Sequence, residues 1–249
     1  MIGHIEIDRY HRLSSPIHNW DPRAKLVSIL VLIFSIVLVY NLKMAVVGLF
    51  FAMVILLISR IPLSFVLSHI KWVILFVSPF IIILPLRIGD GGIGIDPYGL
   101  WYGSLIVLKA IAAVILIFPM IGTARFDTSL KALLDLKVPN KLVQMLVFTF
   151  RYIFVFIEEF HRLMRSLESR HFEIKTRIYT ITTLGKAMGM LFVKSVERAE
   201  RVYDAMISRG YDGILRGGGE FKMRGADWLK SLVILILAIS LHIAWPGVM

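Results

Sequence analysis

The 249-residue sequence contains no cysteine. It therefore has no disulfide, no thiolate metal ligand and no cysteine nucleophile. Charged residues are also scarce, since Asp, Glu, Lys and Arg make up 18% of the chain against about 25% in typical soluble proteins. Hydrophobic residues reach 57%, compared with a usual share of about 45–50%. A soluble, disordered or disulfide-stabilised protein is excluded, and the composition indicates an integral membrane protein.

Acidic residues are in the minority, with 17 Asp and Glu against 28 Lys and Arg, and the net charge is +11. A basic excess can indicate a protein that binds nucleic acid. Cytoplasmic loops of membrane proteins are enriched in Lys and Arg for a different reason, because these residues set the orientation of the spans. In the most charged region, residues 122–228, acidic residues offset most of the basic ones. We therefore expect no nucleic acid partner.

Apolar runs predict where the chain crosses the lipid bilayer. Five runs predict about five transmembrane helices, so the expected fold class is an all-α integral membrane protein with long amphipathic cytoplasmic helices. Pro79 lies inside the third run and is expected to kink its helix. The runs are Ala24–Tyr40, Met44–Ile58, Trp72–Leu86, Leu100–Ile121 and Leu229–Trp245.

Two weaker apolar patches, Leu142–Ile157 and Ile178–Val193, leave the number of spans open. If both patches crossed the membrane, the chain would have seven spans and the same orientation of its ends. Arg151 interrupts the first patch and Lys186 interrupts the second. This favours five spans, with the patches in long helices near or below the membrane interface.

The distribution of basic residues predicts the orientation of the chain. Arg23 and Lys25 hold the N-terminus in the cytoplasm, whereas the predicted outer loops carry only Lys43 and Arg87. The polar interval 60–71 is then expected to be a cytoplasmic loop. The predicted segments are 1–121 with the N-terminal segment and four spans, 122–228 as the cytoplasmic coupling region, and 229–249 as the last span.

Patterns that indicate chemistry are few. The glycine-rich segment Gly89–Pro97 lacks a phosphate-binding pattern and is typical of a turn. His4, His11 and His18 recur every seven residues, but Pro16 prevents a continuous helix, so we expect no metal site. The spans contain no nucleophile pattern and no pair of carboxylates, so we expect the chain not to be an enzyme.

Lys109 lies deep within the fourth apolar run. An ionisable residue inside a membrane is a functional candidate. A lysine one-third of the way along a span can also extend its ammonium group to the interface. The sequence leaves both possibilities open.

Two amphipathic helices are predicted in the coupling region. Apolar residues recur at helical spacing in Phe156–Arg170 and again in Phe192–Arg209. Gly210 follows the second helix at the position where glycine often ends a helix. Each helix has an arginine in its last turn, where a positive charge suits the helix dipole.

The ends of these two helices resemble each other. In residues 166–173 and 205–212, Ser-Arg is followed by a small or polar residue, an aromatic residue and an acid. Arginines that stabilise helix dipoles explain each end separately. The repeat also fits a pair of matched docking elements for a symmetric or duplicated partner, because an arginine can pair with a carboxylate while its helix lies in a groove.

Three segments resemble one protein family. Ser15–Leu26, SPIHNWDPRAKL, is similar to the opening motif of the transmembrane T component of energy-coupling factor (ECF) transporters, the CbiQ-like proteins. Ala205–Tyr211, AMISRGY, resembles the second Ala-Arg-Gly signature of that family, and Ser169–His171, SRH, resembles the first. Serine replaces the usual alanine in both signatures, and His171 replaces glycine in the first.

The resemblance implies a scaffold subunit in the plasma membrane of a prokaryote. Such a subunit joins two cytoplasmic ABC ATPases, each docked at one signature arginine, to a membrane S component that captures the substrate. ATP is used by the ATPases, so the chain itself would bind no cofactor. The resemblance favours cobalt or nickel uptake over vitamin uptake. It implies ATPase docking by Ser169, Arg170, His171, Ser208, Arg209 and Gly210, and an N-terminal motif with Asp21, Pro22, Arg23 and Lys25.

A different class of function is the alternative. A self-sufficient permease or channel would transport without ATPases. It would need polar residues along a path through the spans, and the first, second and last apolar runs contain almost none. The coupling subunit is therefore the favoured hypothesis.

Overall fold

The structure is a computed structural model that describes residues 15–89, 92–175, 177–214, 221 and 223–243. Helices account for nearly all of the secondary structure in these residues, and one short pair of strands is added to them. The predicted class, a helical integral membrane protein, is confirmed. In chain order the elements are α1 (Pro22–Leu38), α2 (Leu42–Ser59), α3 (Leu63–Val77), α4 (Pro79–Ile83), β1 (Leu86–Gly89), β2 (Gly92–Ile95), α5 (Pro97–Gly122), α6 (Phe126–Asp135), α7 (Asn140–Glu168), α8 (Ile178–Ile207) and α9 (Gly225–Ile243).

Two compact units make up the fold. The membrane unit lies within Gly3–Ala132 and Gly219–Met249, and the coupling unit lies within Leu133–Gly218. The chain thus leaves the membrane unit within α6 and returns to it before α9. This division follows packing, whereas the predicted segments 1–121, 122–228 and 229–249 follow the expected membrane boundaries.

Helix α5 is central in the membrane unit, because it packs against α1, α2, α3 and α4, while α9 packs against α1. Large apolar side chains also cover the outside of the unit, and Phe34, Phe50 and Leu75 are each more than half exposed. An apolar exterior around an apolar core suits contact with lipid. The core includes Ile29, Leu32, Ile36, Ala52, Leu56, Ala112, Ile115, Leu116, Ile234, Ala238 and Leu241.

Four stretches of helix among the described residues are long and apolar enough to cross a membrane, and they match four of the five predicted spans. Helix α1 has 17 residues. At 1.5 Å per residue it is about 26 Å long, at the lower end of the usual range for a span. Neither α7 nor α8 is among the four, which favours five spans over seven. The four are Leu42–Ser59, Leu63–Ile83, Pro97–Gly122 and Gly225–Ile243.

The prediction that residues 60–71 form a loop is wrong, because α3 already begins at Leu63. Their position on the cytoplasmic side stays a prediction. Polar residues in this interval suggested a loop. In the structure they bond to the backbone of their own helix: Ser68 Oγ lies 2.7 Å and His69 Nδ1 lies 2.8 Å from the carbonyl oxygen of Phe65. Side chains satisfied in this way fit into a helix, so the third span starts earlier than the hydropathy indicates.

The connection between α4 and α5 also differs from the prediction. Gly89–Pro97 was expected to form a turn, but most of it belongs to an antiparallel β-hairpin. Leu86 pairs with Ile95, and Gly89 pairs with Gly92. Alternation of small and aliphatic residues is compatible with such a short hairpin, although its high glycine content favours turns.

Helix α4 packs closely against α5. At Pro79, where a kink was predicted, the helix is interrupted, because this residue begins α4 after a one-residue break from α3. Gly99 and Gly103 lie one turn apart on α5 and face the backbone of α4. A Cβ atom on Gly99 would overlap the carbonyl oxygen of Leu84, and one on Gly103 would lie 2.8 Å from that of Phe80. Small residues four apart commonly allow such close approach in membrane helices.

Candidate functional site

The coupling unit is built on α7 and α8, two helices of 29 and 30 residues. Contacts at two positions show that the helices are antiparallel. The Gln144 side-chain nitrogen donates to the Tyr211 hydroxyl, and Lys194 Nζ lies 2.6 Å from Glu159 Oε1. Each helix unites a weak apolar patch with an amphipathic helix that the sequence predicts separately. The long helices expected in this region are therefore present.

Glu159 forms the ion pair that joins the two helices. Its side chain is 16% exposed, and Arg162 Nη2 lies 3.6 Å from its second oxygen. The hydrogen bond from Lys194 lowers the pKa of the Glu159 carboxyl. Partial burial opposes this shift, and the charges of Lys194, Arg162 and Arg198 reinforce it. The carboxylate is therefore ionised at neutral pH and holds α8 against α7.

A largely apolar groove of about 590 Å³ lies between the first half of α7 and the second half of α8. Phe148, Tyr152 and Phe156 line it on α7, and Tyr203 and Tyr211 line it on the side of α8. Aromatic side chains of this kind are enriched where proteins bind one another.

Helix α7 ends in a Schellman motif at the first predicted docking segment. The backbone N–H of Phe172 donates to the Leu167 carbonyl at 3.1 Å, and that of His171 donates to the Glu168 carbonyl at 3.0 Å. His171 adopts the left-handed conformation, with φ of 58°. Histidine is more tolerant of this conformation than most non-glycine residues. The replacement of glycine by His171 therefore leaves the helix ending intact.

Helix α8 ends in the same motif. The backbone N–H of Tyr211 donates to the Met206 carbonyl at 3.0 Å, and that of Gly210 donates to the Ile207 carbonyl at 2.9 Å. Gly210 has φ of 80°. Its predicted position immediately after the helix is confirmed. The two predicted docking segments thus share one backbone geometry, although their sequences differ at this residue.

The signature arginines, Arg170 and Arg209, immediately precede the two left-handed residues and are exposed. Within the described part of the chain, neither guanidinium has a hydrogen bond or an ion pair. Ser169 and Ser208 bond through Oγ to the backbone oxygen four residues earlier, at 2.9 Å and 2.8 Å. These hydroxyls are satisfied inside their helices, which explains why serine can stand where the family has alanine.

The two arginines lie at opposite ends of the helix pair. Arg209 is two residues before Tyr211, which contacts Gln144 near the start of α7. Arg170 lies 26 residues further along the chain than Gln144. At 1.5 Å per residue, about 39 Å of helix separates the two ends. The geometry can therefore present two similar cationic tips to two separate binding sites.

The N-terminal motif begins α1. Asp21 is the N-cap, and its Oδ1 accepts the backbone N–H of Arg23 at 2.9 Å, while Pro22 occupies the first helical position. The Arg23 guanidinium binds the same carboxylate through Nε and Nη2, at 3.2 Å and 3.1 Å. Burial raises the pKa of the Asp21 carboxyl, but the hydrogen bonds and charge of Arg23 outweigh it and hold this pKa below its usual value. Nη2 of Arg23 also donates to the Phe221 carbonyl at 2.9 Å, with the guanidinium 5.4 Å from the ring centroid.

Lys25 belongs to the same motif and is buried, with 1% of its surface exposed. Its Nζ donates to Thr123 Oγ1 at 2.8 Å, and Thr123 Oγ1 donates to the Pro119 carbonyl at 2.7 Å. Thr123 is the C-cap residue of α5. A positive charge is favourable here because the carbonyl groups at a helix C-terminus carry partial negative charge.

Comparison with known proteins decides the family. Residues 13–220 match CbiQ, described as a cobalt transport protein. The chain belongs to the CbiQ family. Its relatives include three proteins named energy-coupling factor transporter transmembrane protein EcfT. That of Macrococcus caseolyticus is 28% identical over 92% of this chain and 91% of its own length, that of Bacillus subtilis is 28% identical over 96% and 97%, and that of Streptococcus thermophilus is 29% identical over 94% of each.

The predicted membership among the T components of ECF transporters is thereby confirmed. The CbiQ match includes the N-terminal motif from Ser15 onward and both arginine segments. Together with the apolar helices, it makes the chain a multi-pass protein of a prokaryotic membrane. Its role is that of a transport subunit.

Lys109 of this CbiQ-family chain reaches the end of α1. Its Nζ donates to the Val37 carbonyl at 2.7 Å and lies 5.6 Å from the ring centroid of Tyr40. The last carbonyl groups of a helix have no partner within that helix, so an ammonium group there is stabilising. Of the two possibilities for Lys109, these contacts favour a lysine whose ammonium group extends along the span, here to the end of α1.

Of the three histidines in the N-terminal region, the structure describes His18. His18 Nδ1 lies 2.7 Å from Ser15 Oγ within the turn before α1. His4 and His11 lie outside the described residues. Among the residues that are described, no group of three or more His, Asp or Glu side chains is placed to hold a metal ion.

Sequence reasoning missed the partners of the N-terminal motif. Thr123 is 98 residues from Lys25, and Phe221 is 198 residues from Arg23. Thr123 is an ordinary polar residue after a span, and Phe221 contributes a backbone oxygen that every residue has. No local pattern marks either of them, and the span boundaries alone place them at the same end of the bundle.

Proposed function

We propose that this CbiQ-family chain couples ATP hydrolysis to import, with one ABC ATPase docked at Arg170 and a second at Arg209. The observation that supports this is the pair of matching helix ends at opposite ends of α7 and α8. An exposed guanidinium forms strong bidentate pairs with carboxylates. Two ends of the same geometry, about 39 Å of helix apart, suit two copies of a similar partner.

The mechanism requires no chemistry from this chain. ATP would be bound and hydrolysed by the ATPases, so the chain would need no cofactor of its own. Their movement would displace Arg170 and Arg209. Helices α7 and α8 are continuous and are joined by the Glu159–Lys194 ion pair. A displacement at one tip would therefore be carried along the helix pair to the connections with the membrane unit.

A membrane S component is the proposed third partner, and it would select the substrate. The outer surface of the membrane unit exposes large apolar side chains such as Phe34, Phe50 and Leu75, which suit contact with another apolar membrane protein. The description of the CbiQ family as cobalt transport proteins favours Co²⁺ or Ni²⁺ over a vitamin. The basic residues Arg23 and Lys25 favour a plasma-membrane orientation with the N-terminus in the cytoplasm.

Charge reversal at the tips tests the docking. Arg209→Glu is expected to abolish association with the ATPases while the chain still inserts into the membrane, and Arg170→Glu should act in the same way at the other tip. Loss of one member of a desolvated charge pair costs about 2–5 kcal/mol, or at least about 30-fold in affinity. Arg201→Glu is the matched control, because Arg201 lies two turns earlier on α8 and is 68% exposed. Recovery of ATPases with Arg209→Glu in wild-type amounts contradicts the proposal.

Vesicle transport tests the substrate and the need for partners. The chain is purified with its ATPases and its membrane subunit, reconstituted, and supplied with ATP and radioactive Co²⁺ or Ni²⁺. Uptake is expected only in vesicles that contain all components. Uptake by the purified chain alone would instead identify a self-sufficient permease.

A further inference from the structure

We infer that Arg23 and Lys25 are positioning residues that fasten both connections between the membrane unit and the coupling unit to the start of α1. Lys25 holds the outgoing connection at Thr123, and Arg23 holds the returning connection at Phe221. This inference rests on the proposed function, because it concerns how a movement of the coupling helices reaches the membrane helices.

The outgoing connection is fixed by a buried lysine. Thr123 is the C-cap residue of α5, and the chain continues from it to α6. Helix α5 has no basic residue in its own last turn, so Lys25 supplies the positive charge that favours this helix end. Because Thr123 Oγ1 also donates to the Pro119 carbonyl, the bond from Lys25 links α1 directly to the backbone of α5.

The returning connection is fixed by a clamped arginine. Phe221 lies four residues before α9 begins at Gly225. Arg23 contacts it twice, through the carbonyl oxygen and through the ring. Asp21 holds the guanidinium with two hydrogen bonds while it caps α1, so the orientation of Arg23 is set by the helix it belongs to. Lysine could not reproduce this planar, two-pronged geometry.

The first two turns of α9 complete the attachment. Lys230 Nζ donates to the Pro16 carbonyl at 2.9 Å, in the turn that precedes α1. Asp227 is 3% exposed, lies 3.6 Å from Lys230 Nζ, and accepts the backbone N–H of Arg224 at 3.1 Å. A residue of the first helical turn that accepts from the cap position stabilises the helix start. The start of α9 is thus bonded to the turn that directly precedes α1.

These bonds determine where a displacement would act. A linking segment absorbs movement unless its end is attached to a rigid element. The path from α7 towards the membrane unit passes Thr123, and the path from α8 passes Phe221. Both points are bonded to α1, which packs against α5 and α9. A displacement of either connection would therefore be passed to α1 and would move it relative to a membrane helix outside this bonded set, such as α3.

Spin labels on α1 and α3 test this inference. Since the chain has no cysteine, two introduced cysteines carry the labels at defined positions. Phe34→Cys and Leu75→Cys are suitable because both residues are more than half exposed. Double electron–electron resonance on the assembled transporter should show a change of the distance distribution on addition of ATP and vanadate. In Lys25→Met this change should be lost while the ATPases stay bound, because methionine keeps the aliphatic volume and removes a charge whose burial is costly.

Lys43→Met is the matched control, since Lys43 lies in the first turn of α2, at the other end of α1, and should leave the change intact. Thr123→Val removes the same bond from the side of α5 and serves as the second variant if Lys25→Met does not insert. The inference is overturned if the wild type shows no change, or if either inserted variant retains it in full. Failure of the wild-type chain to retain ATPases would instead overturn the proposed function.

Discussion

Substitution of the two residues in the left-handed conformation, His171 and Gly210, should change the stability of the ends of α7 and α8 in opposite directions. His171→Gly should make the end of α7 more stable, and Gly210→Ala should make the end of α8 less stable. Both residues follow a signature arginine and have positive φ, 58° and 80°. A side chain with a Cβ atom is strained in this conformation, whereas glycine is not.

The magnitude follows from two opposing terms. Left-handed backbone costs a non-glycine residue about 1–2 kcal/mol. Glycine avoids this cost but loses about 0.5–1 kcal/mol more in conformational entropy on folding. The net effect of His171→Gly is then about 0.5–1 kcal/mol in favour of the folded helix end. A Cβ on Gly210 would meet no atom within 4 Å, so the same terms apply to Gly210→Ala with the opposite sign.

Hydrogen exchange of single amides measures this directly. The amide of Phe172 bonds to Leu167, and that of Tyr211 bonds to Met206, so each reports the opening of one Schellman motif. Protection of Phe172 should rise about two- to fivefold in His171→Gly, and protection of Tyr211 should fall by a similar factor in Gly210→Ala. Each variant is the control for the other end. Lower protection of Phe172 in His171→Gly would refute the reasoning, because the imidazole would then stabilise the end by more than its strain.

Three further predictions concern packing and charge. The pKa of Glu159 in the folded protein lies below its ordinary value of 4.5. Its ion pair therefore stabilises the pair of helices above about pH 4.5, and this contribution is lost as the pH falls through the folded pKa. Thermal unfolding followed by circular dichroism should show this loss in the wild type and a smaller one in Glu159→Gln, and equal pH dependence would contradict it. Gly103→Ala should destabilise the purified protein by about 1–3 kcal/mol because the added methyl group meets the α4 backbone, whereas Gly185→Ala, with open space around it, should not lower the melting temperature. Lys109→Met should lower the free energy of unfolding by about 0.5–1.5 kcal/mol, because the hydrogen bond to Val37 is lost, and should leave vesicle uptake unchanged. Loss of uptake in a stable variant would restore Lys109 as a functional candidate.

Features that depend on neighbouring residues could be predicted from the sequence. The position of Gly210 follows from the last apolar residues of α8 and the preference of glycine for positive φ. The break at Pro79 follows from the missing N–H of proline. The resemblance of the two Ser-Arg segments predicted a pair of similar ends, and the structure gives them the same hydrogen bonds.

Features that depend on partners distant in the sequence, or on side chains that bond to the backbone of their own helix, could not be predicted from the sequence. His171 occupies the glycine position although its own preference disfavours it, because the hydrogen bonds of the Schellman motif fix the backbone there. The third span begins before Ser68 and His69 because these side chains bond to their own helix, which hydropathy does not register. The partners of Arg23 and Lys25 are brought near only by the packing of α1 with α5 and α9.

Because α7 and α8 are antiparallel and end in the same motif, a rotation of 180° about an axis perpendicular to both, near the Glu159–Lys194 pair, would bring Arg170 approximately to the position of Arg209. A pair of proposed ATPases related by an axis of the same kind would then meet similar contacts at both tips of one asymmetric chain. Equivalence of this kind depends on helix length as well as on sequence. Because each residue turns a helix by about 100°, a single insertion between Lys194 and Arg209 would point Arg209 away from its partner and would also displace Tyr211 from Gln144.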